Sequence, residues 1–371
     1  MSGIDGSALG RRVLASVPVR VADVGGWTDT WFGSPGQICS VAVGPGVHVE
    51  GQVVRRDGSG RGGAPVRLVA PSLDEDYGVG PSAEVGWVHP VPGRQPLLEH
   101  AVGAVLADTV VDPGVTIELR ITSAVPPGAS LGTSAAVLVG VLAALDAIVD
   151  PEAGNTTTPD DLARRAHEVE TGRAGREAGV QDHWAAAHGG IGHLIVSPYP
   201  SVRWRAIVPP VGVAGALAAR LVTVVVGSHD SSVVHGEVIH ALLSCAGTSH
   251  DPARRALRDL VRLAGEAAEA LGSGDLGAWA NVLVRSTDAQ AALHPGLVGR
   301  AHQAAIAAGR AAGAVGWKVN GAGGAGGSLT FLAASDRDPA DLGSALAEAD
   351  RSWRVVDLRP APGAAITVLD S

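Results

Sequence analysis

The segment from Pro126 to Ala136, which reads PPGASLGTSAA, has residue types that could bind a phosphate group. Its glycines would let the backbone approach an anion closely. The apolar helix predicted to follow would aim its free N–H groups and its positive dipole end at that anion. Thr133 and Ser134 would place hydroxyls where one could cap the helix or ligate Mg²⁺. An ordinary strand-turn-helix junction with a Ser or Thr N-cap is the alternative, and no GxxxxGK[ST] loop is present.

Two further glycine-containing segments could contact ligands. Asp29 follows a tight turn at Gly25-Gly26, where a carboxylate could accept hydrogen bonds from two sugar hydroxyls; a plain Asx-turn residue is the alternative. Residues 316–328, GWKVNGAGGAGGS, could wrap a triphosphate from the side opposite the first loop, or form a flexible low-complexity turn. Lys318, at the entrance of this segment, is the sole lysine of the chain.

These segments occur in the order found in the GHMP kinases, which include galactokinases and homoserine, mevalonate and phosphomevalonate kinases. Residues 126–136 resemble the PxxxGLGSSAA motif of that family. Residues 18–30 (PVRVADVGGWTDT) resemble its first motif in the form carried by heptose-phosphate and L-fucose kinases, and residues 316–328 resemble GAxGAKxxGAGGGG. The EVE at 168–170 and GVQDHWAAAHGG at 179–190 are similar to the ExE…GxQDQYAAAFGG of heptose-7-phosphate kinases. The resemblance covers almost the whole chain.

The resemblance implies an α+β, two-domain GHMP kinase fold with the active site in the cleft between the domains. The N-terminal, ribosomal-protein-S5-like α/β domain would cover residues 1–210, and the C-terminal, ferredoxin-like domain residues 211–371. A chain of 371 residues is also longer than one hydrophobic core usually organises. The implied cofactors are ATP and Mg²⁺, and the implied partner is a sugar or sugar phosphate.

Roles for individual residues follow from the same resemblance, since phosphoryl transfer needs a metal, donors for the phosphate oxygens and a group that orients the attacking hydroxyl. Asp182 matches the catalytic aspartate, and Arg20 matches a basic residue near the acceptor. Ser134 and Glu170 would hold Mg²⁺, with Glu168 as the alternative ligand on another helix face. The residues implied to bind ATP are Pro127, Gly128, Ala129, Ser130, Leu131, Gly132, Thr133, Ser134, Gly321, Gly323 and Gly324. Those implied to bind the sugar are Gly25, Gly26, Trp27, Thr28, Asp29, Gln181, Asp182, Gly189 and Gly190.

A few residues depart from the family pattern or have two interpretations. His183 and His188 stand where the pattern has Gln and Phe, and we interpret both as packing or hydrogen-bonding residues. Trp27 could stack on a sugar face or simply pack. Asp230 replaces the arginine of a TGxxR segment found in related kinases, so the acceptor could differ from theirs.

Composition excludes other classes of protein. The net charge of -9 and the lack of a basic tract argue against a nucleic-acid partner. Cys39 and Cys245 are too few for a disulfide framework or a zinc site. The most apolar run, residues 135–149, is short and contains Asp146, so no membrane span or signal peptide is predicted. We expect a cytoplasmic protein that is a monomer or homodimer.

Apolar periodicity predicts the elements that position these residues. Strands are predicted at 12–24, 40–54, 115–123 and 221–226, helices at 97–107, 161–170, 180–187, 235–246, 251–272 and 297–312, and a hairpin loop at 57–65. The glycine segment at 316–328 is predicted to lie between a helix and a strand.

Together these patterns predict an ATP-dependent sugar kinase that phosphorylates the anomeric O1 of a heptose 7-phosphate. An unphosphorylated aldose such as L-fucose or galactose is the alternative acceptor. A non-catalytic regulator that binds nucleotide or sugar is the alternative of another class, although such a protein would not need Asp182.

Overall fold

The computed structural model describes residues 3–57, 63–82, 86–87, 96–151, 157–229, 232–244 and 252–369. The strands are β1 (Gly3–Ile4), β2 (Arg12–Val24), β3 (Gly36–Arg55), β4 (Val66–Ala70), β5 (Glu75–Val79), β6 (Pro81–Ser82), β7 (Gly86–Trp87), β8 (Val110–Val111), β9 (Val115–Ser123), β10 (Ile191–Val196), β11 (Val202–Ile207), β12 (Leu221–Gly227), β13 (Ala314–Val319), β14 (Gly327–Ala333), β15 (Arg354–Val356), β16 (Arg359–Pro360) and β17 (Ala365–Leu369). The helices are α1 (Leu97–Leu106), α2 (Thr133–Val149), α3 (Pro159–Glu168), α4 (Gln181–His188), α5 (Val213–Ala218), α6 (Ser232–Ser244), α7 (Pro252–Ser273), α8 (Leu276–Leu293), α9 (Arg300–Ala311) and α10 (Pro339–Ala349). A π-helical turn, Val169–Arg173, continues α3.

The larger sheet has nine strands and is built on the long antiparallel pair β2 and β3. Its order is β11-β10-β3-β9-β4-β5, with β2 and β16 also pairing with β3. Both long strands are rich in valine, whose branched side chain suits a pleated, packed surface, and Val13 and Val17 of β2 are buried. Helix α2 packs on β2 and β3 and is apolar on nearly every side, as expected of a helix inside a core.

The smaller sheet has the order β13-β14-β12-β15 and is antiparallel throughout. Helices α9 and α10 pack against it, and α8 packs against both β13 and α7. Val224, Leu329 and Phe331 are fully buried in the core of this sheet. Within the described ranges, no helix is both long enough and apolar enough to cross a bilayer.

The chain returns to the larger sheet at its end. Strand β16 pairs with β3, and β17 pairs with β2, so that Ala365 lies opposite Ser16 and Leu369 opposite Arg12. Strands β16 and β17 therefore complete the larger sheet although they follow the smaller one in sequence. The predicted domain boundary between residues 210 and 211 stays a prediction. Strands β16 and β17 depart from it, since they follow this boundary in sequence but pair with strands that precede it.

The predicted strands and helices are confirmed, with shifts of a few residues at their ends. Helices α5, α8 and α10 are additional, since no helix was predicted there. The expectation that the glycine segment at 316–328 lies between a helix and a strand is wrong, because its first residues belong to β13 and its last to β14, so that its glycines join two strands. Residues 58–62 of the predicted hairpin loop, Asp230 and Cys245 lie outside the described residues.

Candidate active site

A cleft of about 390 Å³ lies where the end of β2, the start of α2 and the connection between β13 and β14 meet. Two loops border it, which we call the first glycine loop (residues 126–136) and the second glycine loop (residues 316–328). The lining includes residues 128–135 of the first loop, Gly321 and Ala322 of the second, and the predicted site residues Arg20, Trp27, Asp29, Glu170, Gln181 and Asp182. The structure thus brings together residues that are far apart in sequence.

The backbone of the first glycine loop enters the left-handed region three times. Gly128, Ser130 and Gly132 have φ values of 73°, 57° and 75°. A Cβ atom at Gly132 would lie 3.1 Å from Cγ of Asp182, so glycine allows the loop to approach the aspartate. Helix α2 begins at Thr133 with no side-chain cap. The Ser or Thr N-cap interpretation is therefore wrong here, and the first N–H groups of the helix lack intrahelical partners.

Asp182 lies at the start of α4 and is held by a buried arginine. Arg20 Nε donates to Asp182 Oδ1 at 2.8 Å and Nη2 donates to Oδ2 at 3.3 Å, while Nη1 donates to the carbonyl oxygen of Ser130 at 2.5 Å. Burial alone would lower the pKa of Arg20, but Asp182 and Asp23 raise it, so the guanidinium stays charged. The side chain of Asp182 is 29% exposed and that of Arg20 only 4%. The carboxylate is therefore fixed in direction yet accessible from the cleft.

Glu170 and Ser134, the pair predicted to hold Mg²⁺, are in direct contact. Glu170 lies in the π-helical turn, and its Oε1 accepts a hydrogen bond from Ser134 Oγ at 2.7 Å. His183 Nε2 lies 2.9 Å from Glu170 Oε2, which is an ion-pair distance without hydrogen-bond alignment. Burial alone would raise the pKa of Glu170, but His183, Ser134 and Arg176 lower it to about 2. The carboxylate is therefore ionised at neutral pH.

These residues fit a divalent cation that is also held by nucleotide phosphates. Mg²⁺ commonly takes one or two protein oxygens and completes its shell with phosphate oxygens and water, and an ionised Glu170 beside the Ser134 hydroxyl supplies such oxygens. Glu168, the alternative ligand, is exposed and does not line the cleft. Among the residues that the structure describes, no group of three or more His, Cys, Asp or Glu side chains could hold a metal by itself.

Asp29 also faces the cleft and is only 1% exposed. Its Oδ2 accepts a hydrogen bond from the backbone N–H of Gln181 at 3.0 Å. Burial raises the pKa of Asp29 to about 6 despite that hydrogen bond, and the nearby Asp182 adds to the increase. In its ionised form this carboxylate could accept hydrogen bonds from ligand hydroxyls.

Trp27 forms an aromatic wall of the same cleft. Its ring centroid lies 5.0 Å from that of His235 and 6.3 Å from that of Phe32. Trp27 Nε1 and Gln181 Oε1 are buried and have no hydrogen-bond partner within the described part of the chain. Buried polar atoms are rarely left unpaired, and both residues line the cleft. They supply one donor and one acceptor that a hydroxylated ligand could satisfy.

The second glycine loop is fastened to both the N-terminal motif and the first loop. The backbone N–H of Gly321 donates to both carboxylate oxygens of Asp23, at 3.0 and 3.1 Å. Ser328 Oγ donates to the carbonyl oxygen of Ala129 at 2.7 Å. All four residues are buried or nearly so, and these bonds fix the relative position of the two loops.

Lys318, the sole lysine, lies in β13 at the start of this loop and does not line the cleft. It is 1% exposed, and Nζ donates to Gln290 Oε1 at 2.7 Å and to the carbonyl oxygen of Val319. Gln290 Nε2 in turn donates to the carbonyl oxygen of Gly321 at 3.0 Å. Burial lowers the pKa of Lys318 to about 8.

Several residues predicted to touch ligands do not line the cleft. These are Gly25, Gly26, Thr28, Pro127, Gly189, Gly190, Gly323 and Gly324. Thr28 Oγ1 donates to the carbonyl oxygen of Gly25 at 2.8 Å and stabilises the turn that carries Trp27 and Asp29. The N–H of Gly190 donates to the carbonyl oxygen of Ala361 at 2.8 Å, which ties this glycine to the returning end of the chain. Five of the eight residues, Gly25, Gly189, Gly190, Gly323 and Gly324, have positive φ values, which glycine adopts without strain.

The two histidines of the 179–190 stretch behave differently. His188 Nε2 lies 3.0 Å from Asp160 Oδ1, and its ring stacks on Trp204 with centroids 4.9 Å apart, as expected of a packing residue. His183 is fully buried but also lines the cleft beside Glu170. The packing interpretation is therefore confirmed for His188 and incomplete for His183.

Sequence reasoning did not identify Asp23, Arg176 or His235, all of which bear on this site. For Asp23 a signal existed, since a charged residue in an otherwise apolar strand is rarely buried without a partner. Arg176 lies between the two stretches similar to the heptose kinases, and His235 lies in a helix predicted only from its apolar spacing. Neither has a local pattern that distinguishes it from a surface residue.

Asp29 predicts a pH dependence of stability. Its pKa rises from 3.8 to about 6 on folding, so between these values the folded protein binds more protons than the unfolded chain. The contribution of Asp29 to the free energy of unfolding therefore falls by up to about 3 kcal/mol as the pH rises from about 4 to above 6. Urea unfolding of wild type and Asp29→Asn should show the variant gaining stability relative to wild type over that range. A constant difference between the two proteins would contradict the burial cost.

The chain is similar to one known protein family and to several solved structures. Residues 97–190 match the sequence family described as GHMP kinases N terminal domain. No curated protein sequence matches the chain. Among solved structures, a D-glycero-D-manno-heptose 1-phosphate kinase from Bacteriodes thetaiotaomicron is 18% identical, with a TM-score of 0.69 over 97% of this chain and 100% of that chain. The mevalonate kinase of Methanococcus jannaschii is 15% identical, with a TM-score of 0.69 over 94% and 98% of the two chains.

A Lactococcus lactis galactokinase, solved in complex with galactose, is 14% identical, with a TM-score of 0.66 over 95% of each chain. At these identities the likeness shows the fold, and the predicted α+β GHMP kinase fold is confirmed over nearly the whole chain. The family match adds that residues 97–190, which contain the first glycine loop, Glu170 and Asp182, are similar to the N-terminal domain of the GHMP kinases, so the predicted resemblance is confirmed for this part of the chain. Kinases of this family use ATP and transfer its phosphoryl group to an alcohol group.

Proposed function

We propose that this protein is a Mg²⁺-requiring sugar kinase that transfers the γ-phosphoryl group of ATP to a sugar hydroxyl. The observation that carries the proposal is the Asp182 carboxylate, held by Arg20 at the edge of the first glycine loop and accessible from the cleft. This carboxylate could orient an acceptor hydroxyl. It lies next to the start of α2, whose free N–H groups suit a phosphate. A regulator that only bound nucleotide would need the loop but not this carboxylate.

In the proposed reaction the acceptor hydroxyl donates a hydrogen bond to Asp182, which orients its oxygen toward the γ-phosphorus of ATP. The new bond forms between the sugar oxygen and that phosphorus, and the bond to the bridging oxygen of ADP breaks. The hydroxyl proton goes to Asp182 or, through it, to solvent. The fixed charge of Arg20 stabilises Asp182 in its ionised form before transfer.

Glu170 and Ser134 are the proposed Mg²⁺ ligands. When bound, the ion would supply positive charge that neutralises negative charge on the transferred group. The free N–H groups at the start of α2 and the backbone of both glycine loops would hold the remaining phosphate oxygens.

For the acceptor we propose a sugar positioned by Trp27, Asp29 and Gln181, with the anomeric O1 of a heptose 7-phosphate as the phosphorylated position. Trp27 would lie against the sugar ring, and the buried Trp27 Nε1 and Gln181 Oε1 would pair with hydroxyls. A neutral aldose such as L-fucose or galactose is the second candidate. It is favoured by the carboxylates of Asp29 and Glu177, which both line the cleft and would repel an acceptor phosphate placed near them.

Product analysis tests this proposal. The protein is incubated with ATP, Mg²⁺ and, separately, D-glycero-D-manno-heptose 7-phosphate, L-fucose and galactose, and the products are examined by ³¹P and ¹H NMR. The proposal predicts ADP together with a sugar phosphorylated at O1 for at least one acceptor. ATP binding without turnover on a wide panel of sugars would instead support the regulator.

A further inference from the structure

Arg176 lies in the short connection between the π-helical turn and α4, and contacts both proposed metal ligands. Its Nη1 donates to Ser134 Oγ at 3.1 Å and lies 3.3 Å from Glu170 Oε1. Its backbone N–H donates to the carbonyl oxygen of Glu170 at 3.0 Å, which fixes the start of the side chain beside the carboxylate. The guanidinium therefore occupies the space that a cation bound by these two oxygens would need.

The two arginines that line the cleft differ in how firmly they are held. Arg20 is almost completely buried, and three of its nitrogen atoms bond to Asp182 and Ser130. The side chain of Arg176 is 38% exposed, and within the described ranges its guanidinium contacts Ser134 and Glu170 alone. A long side chain with this exposure can turn about its aliphatic stem without disturbing the core.

Mg²⁺ bound by Ser134 Oγ and Glu170 Oε1 would compete with the guanidinium for the same two oxygens, and two positive charges at that distance would repel each other. The nucleotide that would accompany the metal carries several negative charges. Arginine suits such a ligand, since its planar fork of donors matches phosphate oxygens and keeps its charge at any physiological pH. Release from Glu170 would thus leave Arg176 facing an anion of matching geometry.

We propose that Arg176 is a phosphate-binding residue that exchanges partners: it contacts Ser134 and Glu170 until Mg²⁺ takes those oxygens, and then binds the terminal phosphate of ATP. This inference rests on the proposed function, because it uses ATP and Mg²⁺ as ligands of the cleft. Arg176 lies outside the motifs found in the sequence and would be an additional residue that binds the phosphate.

The test uses Arg176→Gln, which keeps a hydrogen-bonding side chain but removes the charge. Binding of Mn²⁺ to the nucleotide-free protein is followed by electron paramagnetic resonance of the free ion, and binding of ATP in saturating Mg²⁺ by calorimetry. The variant should bind Mn²⁺ severalfold more tightly, because the competing cation is gone. It should bind ATP in saturating Mg²⁺ about tenfold more weakly, because the charge-assisted contact that the released arginine would make is lost. Arg173, the exposed last residue of the π-helical turn, provides the control. Arg173→Gln removes the same charge and should alter neither dissociation constant.

Tighter binding of Mn²⁺ together with weaker binding of ATP would distinguish an arginine that exchanges partners from one that only stabilises the fold. A variant that bound both Mn²⁺ and ATP as wild type does, or bound both more weakly, would overturn the inference while leaving the kinase proposal standing. Failure of the wild-type protein itself to bind ATP, with or without metal, would instead overturn the proposed function and this inference with it. Circular dichroism and thermal unfolding of each variant establish that it is folded.

Discussion

Replacing Asp182 with asparagine is expected to lower kcat about a thousandfold while leaving the Kd of ATP within about a factor of two of the wild-type value. Asparagine has nearly the same shape, and its Oδ1 can still accept from Arg20 Nε, so the loop and the nucleotide site should persist. What is lost is the negative oxygen that orients the acceptor hydroxyl and receives its proton. Steady-state ADP formation and calorimetry with ATP measure the two quantities.

The structure offers a matched control for this variant. Asp146 of α2 accepts two hydrogen bonds from Arg165, at 2.6 and 2.9 Å, in a second partly buried pair that does not line the cleft. Asp146→Asn should leave kcat close to the wild-type value. If Asp182→Asn retained more than about a tenth of wild-type kcat, Asp182 would lose the role assigned to it.

Arg20→Met is expected to reduce both stability and turnover. Methionine fills a similar volume, but the carboxylate of Asp182 and the carbonyl oxygen of Ser130 lose their donors. Breaking a fully buried ion pair costs about 3 to 5 kcal/mol; because Asp182 is 29% exposed, we expect the free energy of unfolding to fall by about 2 kcal/mol. We expect kcat to fall by at least about a hundredfold, since Asp182 is no longer oriented.

Urea unfolding and steady-state kinetics measure these effects, with Arg165→Met as the control. That variant should lose a comparable amount of stability, because Arg165, like Arg20, bonds to its carboxylate partner through two nitrogen atoms, yet keep its kcat. Equal losses of kcat in the two variants would mean that Arg20 acts through stability alone.

Much of the site was predictable because its parts are local in sequence. The first glycine loop and the start of α2 are contiguous, so that glycine, hydroxyl residues and an apolar run together indicate a phosphate site. Glu170 and Asp182 were identified within two matched stretches, and the choice between Glu168 and Glu170 was left to the structure, in which only Glu170 lines the cleft.

The remainder depends on contacts that no local pattern encodes. Arg20 and Asp182 are 162 positions apart, and Asp23 bonds to Gly321 across 298 positions. The return of β17 to the larger sheet likewise depends on an edge of β2 that is left for it to pair with. Periodicity predicts that a segment is a strand, but not which strand it pairs with.

Transfer from ATP labelled with ¹⁸O at the non-bridging oxygens of its γ-phosphate is the most direct test of the central claim, that this cleft joins the γ-phosphoryl group of ATP to a sugar hydroxyl. Mass spectrometry of the sugar product should show all of the labelled non-bridging oxygens on the new phosphate, bound through the sugar's own unlabelled oxygen. The same product should be nearly undetectable with Asp182→Asn. Label found only in inorganic phosphate, or equal product from wild type and Asp182→Asn, would contradict the claim.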